Sequence, residues 1–261
     1  MGINGEKFEK LMEVMAKLRG PNGCPWDKEQ THNSITMGFV EELYEFIEAV
    51  EDNDIETMKE ELGDLCLHIV FQVQIAKENG EFEMAEVLDS IIEKLIRRHP
   101  HVFADVKVKD SEEVIVNWDD IKKREKDKQH RKSVVDGIPR HLPALSKAKK
   151  VQQKARKVGF DWDKVEDVVL KIEEELDELR EAMLEKNQNH IEEELGDLLF
   201  SIVNLSRFLD VEPELALHNT VKKFMNRFRA IESALEEKGK TIHEATFEEM
   251  DALWDEVKKQ K

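Results

Sequence analysis

An acidic pattern that occurs twice at unchanged spacing constrains this chain more than any other sequence feature. Residues 40–69 contain Glu-Glu-Leu-Tyr-Glu at 41–45 and Glu-Glu-Leu-Gly-Asp at 60–64. Residues 173–202 contain Glu-Glu-Leu-Asp-Glu at 174–178 and Glu-Glu-Leu-Gly-Asp at 193–197. The corresponding acids are all 133 positions apart, although the turn between the two halves of each pattern has a different sequence. This regularity predicts two related structural units.

Other segments repeat in the same order along the chain. The residues around Trp26 recur around Trp162, and those around Trp118 recur around Trp254, in both cases 136 positions later. A recurrence of this length indicates duplication of a whole structural unit. We therefore predict an N-terminal unit at 5–128, a linker at 129–139 and a C-terminal unit at 140–261.

The composition favours an all-α fold and restricts the classes of function. Only 11 Gly and 6 Pro occur among 261 residues, and apolar residues recur at helical spacing. The formal net charge of −18 argues against a broad surface that binds nucleic acid or anionic lipid, because such surfaces are basic. No stretch approaches 18 consecutive apolar residues, so we expect no membrane span. Two cysteines without a disulfide pattern suit a cytoplasmic protein.

Each acidic pattern is expected to form an antiparallel helical hairpin. Positions i and i+3 share a helix face, so Glu42 lies beside Glu45, and Glu61 lies beside Asp64. Facing positions in an antiparallel pair have numbers with a constant sum, and Glu42 with Asp64 and Glu45 with Glu61 both give 106. The corresponding pairs in the second pattern both give 372. Each hairpin therefore places four acids at one height.

The apolar neighbours of these acids predict a metal centre. Asp64 and Asp197 lie within apolar runs and are expected to point into or beside the core, where an unpaired charge costs several kcal/mol. Gly63 and Gly196 within the helices suggest close packing there. Several converging carboxylates require a cation, and oxygen ligands favour Mg²⁺, with Mn²⁺ as a second choice, over zinc. The predicted ligands are Glu42, Glu45, Glu61 and Asp64 in the first unit, and Glu175, Glu178, Glu194 and Asp197 in the second.

At these residues the sequence resembles the MazG family of nucleoside triphosphate pyrophosphohydrolases. The family pattern is Glu-Glu-x-x-Glu followed, after a spacer, by Glu-x-x-Asp, and it is present twice here. The segments 23–27 and 159–163 and the tryptophan at 254 also resemble tandem-repeat members of the family. The resemblance implies an all-α homodimer of four-helix-bundle type. It further implies a hydrolase acting on acid anhydrides, which uses Mg²⁺ to convert nucleoside triphosphates to monophosphates and pyrophosphate in the nucleotide pool.

The resemblance also assigns roles to individual residues, with the second unit as the main catalytic candidate. The implied nucleotide-contacting residues are Lys171, Glu174, Lys223, Arg227 and Trp254, together with Lys94, Arg98 and Trp118 of the first unit. An acid beside the metal ligands, Glu174 or Glu193, is the candidate general base. Because the first unit retains all four acids, its sequence gives no reason to regard it as inactive.

Two alternatives from other functional classes remain open at the level of sequence. A di-iron carboxylate bundle would require Glu-x-x-His pairs, but Asp64 and Asp197 occupy the histidine positions. A helical scaffold that only binds divalent cations would be stabilised by Mg²⁺ without turning over nucleotides. The base and sugar preference, the physiological substrate and the division of labour between the two units are not encoded in these motifs.

Overall fold

The computed structural model describes residues 2–124 and 132–259, and the chain divides into two compact units near residue 126. Residues 125–128 of the predicted first unit and 129–131 of the predicted linker lie outside the described residues, so these boundaries remain predictions. The described residues form helices and no strands, which confirms the all-α prediction. Among them, no helix combines the length and the apolar character that crossing a membrane requires.

The first unit is built around a hairpin of two long helices. Its helices are α1 (Ile3–Arg19), α2 (Pro25–Glu29), α3 (Thr36–Asp52), α4 (Ile55–Asn79), α5 (Met84–Arg98), α6 (Pro100–Phe103) and α7 (Ser111–Arg124). Helices α3 and α4 form the hairpin, and α1 packs against α4. The short helix α6 begins at Pro100, because proline suits the first turn of a helix.

The second unit repeats this arrangement. Its helices are α8 (Ala144–Arg156), α9 (Val165–Glu185), α10 (Gln188–Phe208), α11 (Pro213–Glu237) and α12 (Phe247–Lys259), with a 3₁₀ turn at Ile242–Glu244. Helices α9 and α10 form the hairpin, α8 packs against α10, and α11 packs against α12. The order of the major helices therefore follows the order of the sequence repeat.

The two hairpin turns use different residues to make the same connection. In the first unit Asn53 adopts a left-handed conformation (φ 55°), and the Asp54 carboxylate caps α4 by accepting from the backbone N–H groups of Glu56 and Thr57. In the second unit Lys186 is left-handed (φ 56°), and Asn187 caps α10. A left-handed residue ends one helix, and a side-chain oxygen then satisfies the first free N–H groups of the next.

The hydrophobic interior differs between the two units. The first unit has a core of large side chains from α1, α4 and the segment before α3, and it includes Met15, Ile35, Val70 and Phe71. In the second unit Val168 and Val203 are buried in the hairpin, while Gln152 is the buried residue of α8. Where each helix meets its hairpin, the buried side chain is therefore apolar in α1 (Met15) and polar in α8 (Gln152).

Candidate metal centres and an adjoining cavity

The first hairpin brings three of its four predicted ligands together. One carboxylate oxygen from each of Glu42, Glu45 and Glu61 lies within 4.8 Å of the others. Glu61 is 6% exposed, and its Oε2 has no hydrogen-bond partner among the described residues. Asp64 is half-buried and lies outside this group of three. The arrangement concentrates negative charge around a buried carboxylate.

The charge concentration changes the acidity of Glu61. Burial raises the pKa of this carboxyl group, and a hydrogen bond with Glu42 raises it further. The negative charges of Glu45, Glu42 and Asp64 act in the same direction. All four predicted ligands of the first unit therefore influence one site, although only three are in direct proximity.

The second hairpin forms an equivalent cluster from a different three of its four acids. Oxygen atoms of Glu175, Glu194 and Asp197 lie within 4.8 Å of one another, and Glu175 is 6% exposed. Glu178 lies outside the group of three, but its pKa is raised, first by desolvation and then by the charges of Glu175 and Glu194. Lys171 lowers it. The four acids again act on one another.

The cations beside the two clusters are different. Lys171 Nζ lies 2.8 Å from Glu174 and 2.9 Å from Glu175, and these carboxylates raise the pKa of the lysine. His190 Nε2 lies 3.1 Å from Glu194. In the first unit His68 lies beside the acids, with its Nε2 3.9 Å from Glu42. The second cluster is therefore more closely neutralised by positive charge.

The burial of the acids differs from the sequence-based expectation in one respect. Asp64 and Asp197 were expected to point into or beside the core, but Asp64 is half-buried and Asp197 is exposed. The buried acids are instead Glu61 and Glu175. The apolar residues next to Asp197 are themselves partly exposed in a single chain, so the local hydrophobic run did not indicate the direction of the core.

The glycines of the two patterns also differ from expectation. A side-chain carbon added at Gly63 or Gly196 would meet no atom within 4 Å among the described residues. The close packing predicted at these glycines is therefore wrong within one chain. Their helix faces are open.

The other predicted nucleotide-contacting residues lie on different helices. In the second unit the Arg227 guanidinium lies over the Trp254 ring, 5.5 Å from its centroid. Lys223 and Arg227 line a cavity of about 510 Å³ whose lining residues include none of the acids. Glu174 and Glu193, the candidate bases, are exposed on α9 and α10. The assignment of these residues to the site remains a prediction.

The first unit has related side chains in a different setting. Trp118 packs edge-on against His99, with ring centroids 5.1 Å apart. Lys94 borders an open cavity of about 410 Å³ on α5. Arg98 is half-buried at the end of the same helix. Their predicted contact with a nucleotide likewise stays a prediction.

The donor atoms of both clusters fit a hard divalent cation. They are all carboxylate oxygens, the ligands that Mg²⁺ and Mn²⁺ prefer, and no cysteine belongs to either group. The Glu61 oxygen without a partner is costly to bury as an anion, so a bound cation would supply the missing interaction. The described residues are therefore compatible with one divalent metal in each hairpin.

Sequence reasoning missed a cavity of about 490 Å³ beside the second cluster. Lys171, Glu175 and Asp197 form its charged side. Its other lining residues include the aromatic residues Phe160, Trp162 and Phe200 and the polar residues Gln152, Asp161, Asn204 and Arg207. The one signal in the sequence was a glutamine at a position of α8 where the helical pattern calls for an apolar residue.

Comparison with known proteins identifies the family. The model of the MazG nucleotide pyrophosphohydrolase domain matches residues 30–103 and 163–231, one match in each unit. A nucleoside triphosphate pyrophosphohydrolase/pyrophosphatase MazG of Thermotoga maritima is 48% identical over 97% of this chain and 96% of its own length. The nucleoside triphosphate pyrophosphohydrolase of Escherichia coli K12 is 42% identical, over 97% of this chain and 98% of its own.

A more distant relative covers a smaller share of its own length. The nucleoside triphosphate pyrophosphohydrolase of Mycobacterium tuberculosis is 34% identical over 88% of this chain and 60% of its own length. The chain belongs to the MazG nucleotide pyrophosphohydrolase family, and each of the two matched domains contains one acidic hairpin. The expectation of a hydrolase of this type is confirmed at the level of the family.

Proposed function

We propose that this member of the MazG family hydrolyses nucleoside triphosphates between the α- and β-phosphates, giving a nucleoside monophosphate and pyrophosphate. The observation that carries the proposal is the convergence of three carboxylates at a buried glutamate in each family domain. The names of the relatives support the reaction class, since they are called nucleoside triphosphate pyrophosphohydrolases.

We infer that Mg²⁺ is the metal and that Mn²⁺ can replace it. When bound, the metal would supply charge neutralisation for the phosphates and would lower the pKa of a coordinated water. Glu175, Glu194 and Asp197 would hold it in the second unit, with Glu178 nearby. Glu42, Glu45 and Glu61 would do so in the first, with Asp64 nearby. The all-oxygen donor set supports this choice.

The protein side chains have separate tasks in the hydrolysis. A water oxygen forms a bond to the α-phosphorus while the bond from that phosphorus to the bridging oxygen breaks, and pyrophosphate leaves with the electron pair. The proton of the water passes to a carboxylate, for which Glu174 and Glu193 are the proposed candidates because they are exposed next to the ligands. Lys171, which pairs with Glu175, is proposed to stabilise charge on the α-phosphate.

Lys223 and Arg227 are proposed to hold the outer phosphates. Both line one cavity, and Arg227 is held over the Trp254 ring. A guanidinium and an ammonium near the leaving group stabilise the negative charge that accumulates on pyrophosphate. Lys94, Arg98 and Trp118 are the proposed counterparts of this set in the first unit.

We propose that the protein acts as a homodimer. The hairpin helices that carry the acids also carry exposed apolar side chains, including Leu62 and Ile69 in the first unit and Leu199 and Ile202 in the second. The open faces at Gly63 and Gly196 leave room for the backbone of a neighbouring helix. Two-helix hairpins bury little surface alone, and pairing would complete four-helix bundles. Sedimentation equilibrium giving a monomer mass would contradict this.

The proposed setting is the cytoplasmic nucleotide pool, with no nucleic-acid or membrane partner. The formal net charge of −18 disfavours a polyanionic partner, and nucleoside triphosphates with Mg²⁺ are small substrates whose charge the metal offsets. We assign the main activity to the second unit because Lys171 and a cavity adjoin its acids. The linker at 129–139 and the unit boundaries at 5–128 and 140–261 remain part of this proposal.

The experiment that tests the function is a screen for pyrophosphate release across the four ribonucleoside and four deoxyribonucleoside triphosphates. It is run with Mg²⁺, with Mn²⁺ and with a chelator, on the wild type and on variants of each unit. We expect release that requires the metal. Stabilisation by Mg²⁺ without release from any of the eight nucleotides would instead favour a cation-binding scaffold.

A further inference from the structure

A ring nitrogen of His68 faces the acidic cluster of the first unit without a hydrogen bond to it. The Nε2 atom lies 3.9 Å from Glu42 Oε1, which is beyond hydrogen-bond distance. The Nδ1 atom is buried and has no hydrogen-bond partner among the described residues, and the side chain is 14% exposed. Polar ring atoms are costly to bury in this way. A partner bound at Nε2 would offset this cost.

Two residues of α3 fix the orientation of this ring. Phe39 stacks on it, with ring centroids 5.5 Å apart and planes inclined by 8°. Gly38 leaves space for the opposite edge, since a side-chain carbon at this glycine would lie 3.0 Å from His68 Cε1 and 3.3 Å from Nε2. Gly38 precedes Glu42 by one helical turn, so both positions share a face of α3. The Nε2 edge is therefore held on the face that carries this acid.

On α4, His68 continues the row of acids by one further turn. Glu61, Asp64 and His68 are spaced i, i+3 and i+7, which places them on one helix face. Glu61 is 6% exposed, and its Oε2 has no hydrogen-bond partner among the described residues. Two atoms that bind one cation at about 2.1 Å lie at most about 4.2 Å apart, and the 3.9 Å between His68 Nε2 and Glu42 Oε1 is within this limit. The first hairpin therefore presents a nitrogen donor beside its carboxylate oxygens.

The second unit has an ammonium group in the equivalent place. Ser201 stands 133 positions after His68, so the imidazole is replaced by a short hydroxyl side chain. Lys171 Nζ lies 2.9 Å from Glu175, which is the counterpart of Glu42. An ammonium group has no lone pair with which to bind a metal. The second unit therefore has a positive charge where the first unit has a potential ligand.

The histidine beside the second cluster is engaged in another way. The Nε2 atom of His190 lies 3.1 Å from Glu194, and its Nδ1 lies 3.0 Å from Glu185. Each ring nitrogen thus faces a carboxylate, to which it acts as a hydrogen-bond donor. A nitrogen that donates a proton has no lone pair for a metal. His190 is therefore a neighbour of the second cluster and not a ligand, in contrast to His68.

We propose that His68 makes the first metal centre selective for a first-row divalent transition ion over Mg²⁺, an inference that rests on the metal centres of the proposed function. Imidazole nitrogen is a good ligand for the ions from Mn²⁺ to Zn²⁺, whereas Mg²⁺ prefers oxygen. The carboxylates of the first unit still admit Mg²⁺ when no transition ion is present. The second cluster offers carboxylate oxygens and remains a Mg²⁺ centre. The two units thus differ in the metal that they select.

The test measures Co²⁺ and Mg²⁺ binding to the full chain by isothermal titration calorimetry. A Glu175→Gln parent weakens the second cluster, so the titration reports the first unit. Adding His68→Ser, which introduces the residue of the second unit, should weaken Co²⁺ binding at least about tenfold, since even groups that only orient metal ligands contribute ten- to a hundredfold to metal affinity. The affinity for Mg²⁺ should change little. The proton NMR spectrum of the Co²⁺-loaded parent should contain a paramagnetically shifted imidazole N–H signal that His68→Ser lacks.

The matched control adds His190→Ser to the same parent and should leave Co²⁺ affinity unchanged. Equal Co²⁺ affinity in the parent and His68→Ser would overturn the inference, as would an equal loss of Co²⁺ and Mg²⁺ affinity, which a merely structural role predicts. Thermal unfolding without metal shows whether each variant is folded. If His68→Ser does not fold, absence of the shifted imidazole signal from the Co²⁺-loaded parent would still overturn the inference. A wild type that has this metal selectivity but hydrolyses no triphosphate would overturn only the proposed function.

Discussion

The two units have the same hairpin and the same acids but differ in what surrounds them. Lys171 stands 133 positions after Gly38, and Ser201 stands 133 positions after His68. In the first unit the His68 ring lies against Gly38 and stacks on Phe39, with ring centroids 5.5 Å apart. In the second unit Lys171 extends to the acids, and the small Ser201 lines the cavity. A glycine and a histidine in one unit thus replace a lysine and a serine in the other.

This comparison separates metal binding from nucleotide recognition. The acids are retained in both units, so either cluster can hold a divalent cation. The second unit has a cavity beside its acids, lined in part by the amide side chains of Gln152 and Asn204. In the first unit Met15 and Phe71 belong to a packed core. Duplication followed by substitutions around, rather than within, the acidic cluster can therefore leave two metal sites with different abilities to bind a nucleotide.

The largest expected difference between the units is in activity. Glu175→Gln removes a buried ligand from the unit with the cavity, and we expect pyrophosphate release to fall at least about a hundredfold. Glu42→Gln makes the equivalent change in the first unit and should retain most of the activity. The double variant should have none. Equal losses in the two single variants would break the proposed division of labour.

The ion pair of Arg207 and Asp161 holds the loop that contains Trp162, and the ion pair of Arg19 and Glu78 lies beside the segment that contains Trp26. Removal of these ion pairs should have the next largest effect. Asp161→Ala leaves the buried Arg207 without its carboxylate, so we expect about 3 kcal/mol lower stability of the second unit. In the first unit Arg19 pairs with Glu78, whose side chain is 36% exposed, and Arg19 also donates to the carbonyl oxygens of Asp27 and Gln30. Glu78→Ala should therefore cost less, about 1 kcal/mol.

Differential scanning calorimetry of the Asp161→Ala and Glu78→Ala variants measures this difference in stability. The two substitutions remove carboxylates of similar size, so each serves as the control of the other. A larger loss for Glu78→Ala than for Asp161→Ala would show that exposure of the carboxylate does not set its contribution.

Exchange of the buried residues of α1 and α8, Met15 and Gln152, should change the stability of the two units by different amounts. Met15→Gln buries an amide among the side chains of the first core and should lower stability by about 2 kcal/mol. Gln152→Met removes an unsatisfied oxygen and should leave the stability of the second unit equal or higher. Chemical denaturation of both variants checks this. A stabilising Met15→Gln would contradict the description of the first core.

The smallest predicted effect concerns the fit between Gly38 and His68. A side-chain carbon at Gly38 would lie 3.0 Å from His68 Cε1, so Gly38→Ala should lower stability by about 1 kcal/mol despite the better helix propensity of alanine. In a His68→Ser background the same substitution should stabilise by up to about 1 kcal/mol. A double-mutant cycle measures the coupling. Independent effects of the two substitutions would mean that the ring does not occupy this space.

The sequence predicted the hairpins well because their signals are local. Asp54 is a strong capping residue, and the constant sum of facing acid positions follows from helical geometry alone. The family resemblance is confirmed by matches in both units. The sequence could not show which acid is buried, since Glu61 and Asp64 lie on the same helix face and the apolar residues beside them are not all internal.

The local pattern indicates an unusual polar position, the glutamine at 152 in α8, but not a cavity. Only the packing of Gln152 against Phe200 shows that this side chain is buried. The carboxylate that pairs with Arg207 belongs to Asp161, 46 residues away in the chain, and such long-range pairs carry no periodic signal. The relation of Lys223 and Arg227 to the acids likewise depends on how α11 packs, so their role in the site stays a prediction.

The acidic hairpins are proposed to support cleavage between the α- and β-phosphates. Phosphorus-31 NMR of a nucleoside triphosphate incubated with the full chain and Mg²⁺ distinguishes the bond that is cleaved. We expect equal amounts of nucleoside monophosphate and pyrophosphate, with neither product formed by the Glu42→Gln/Glu175→Gln double variant. Accumulation of nucleoside diphosphate and orthophosphate, or undiminished turnover by the double variant, would contradict it.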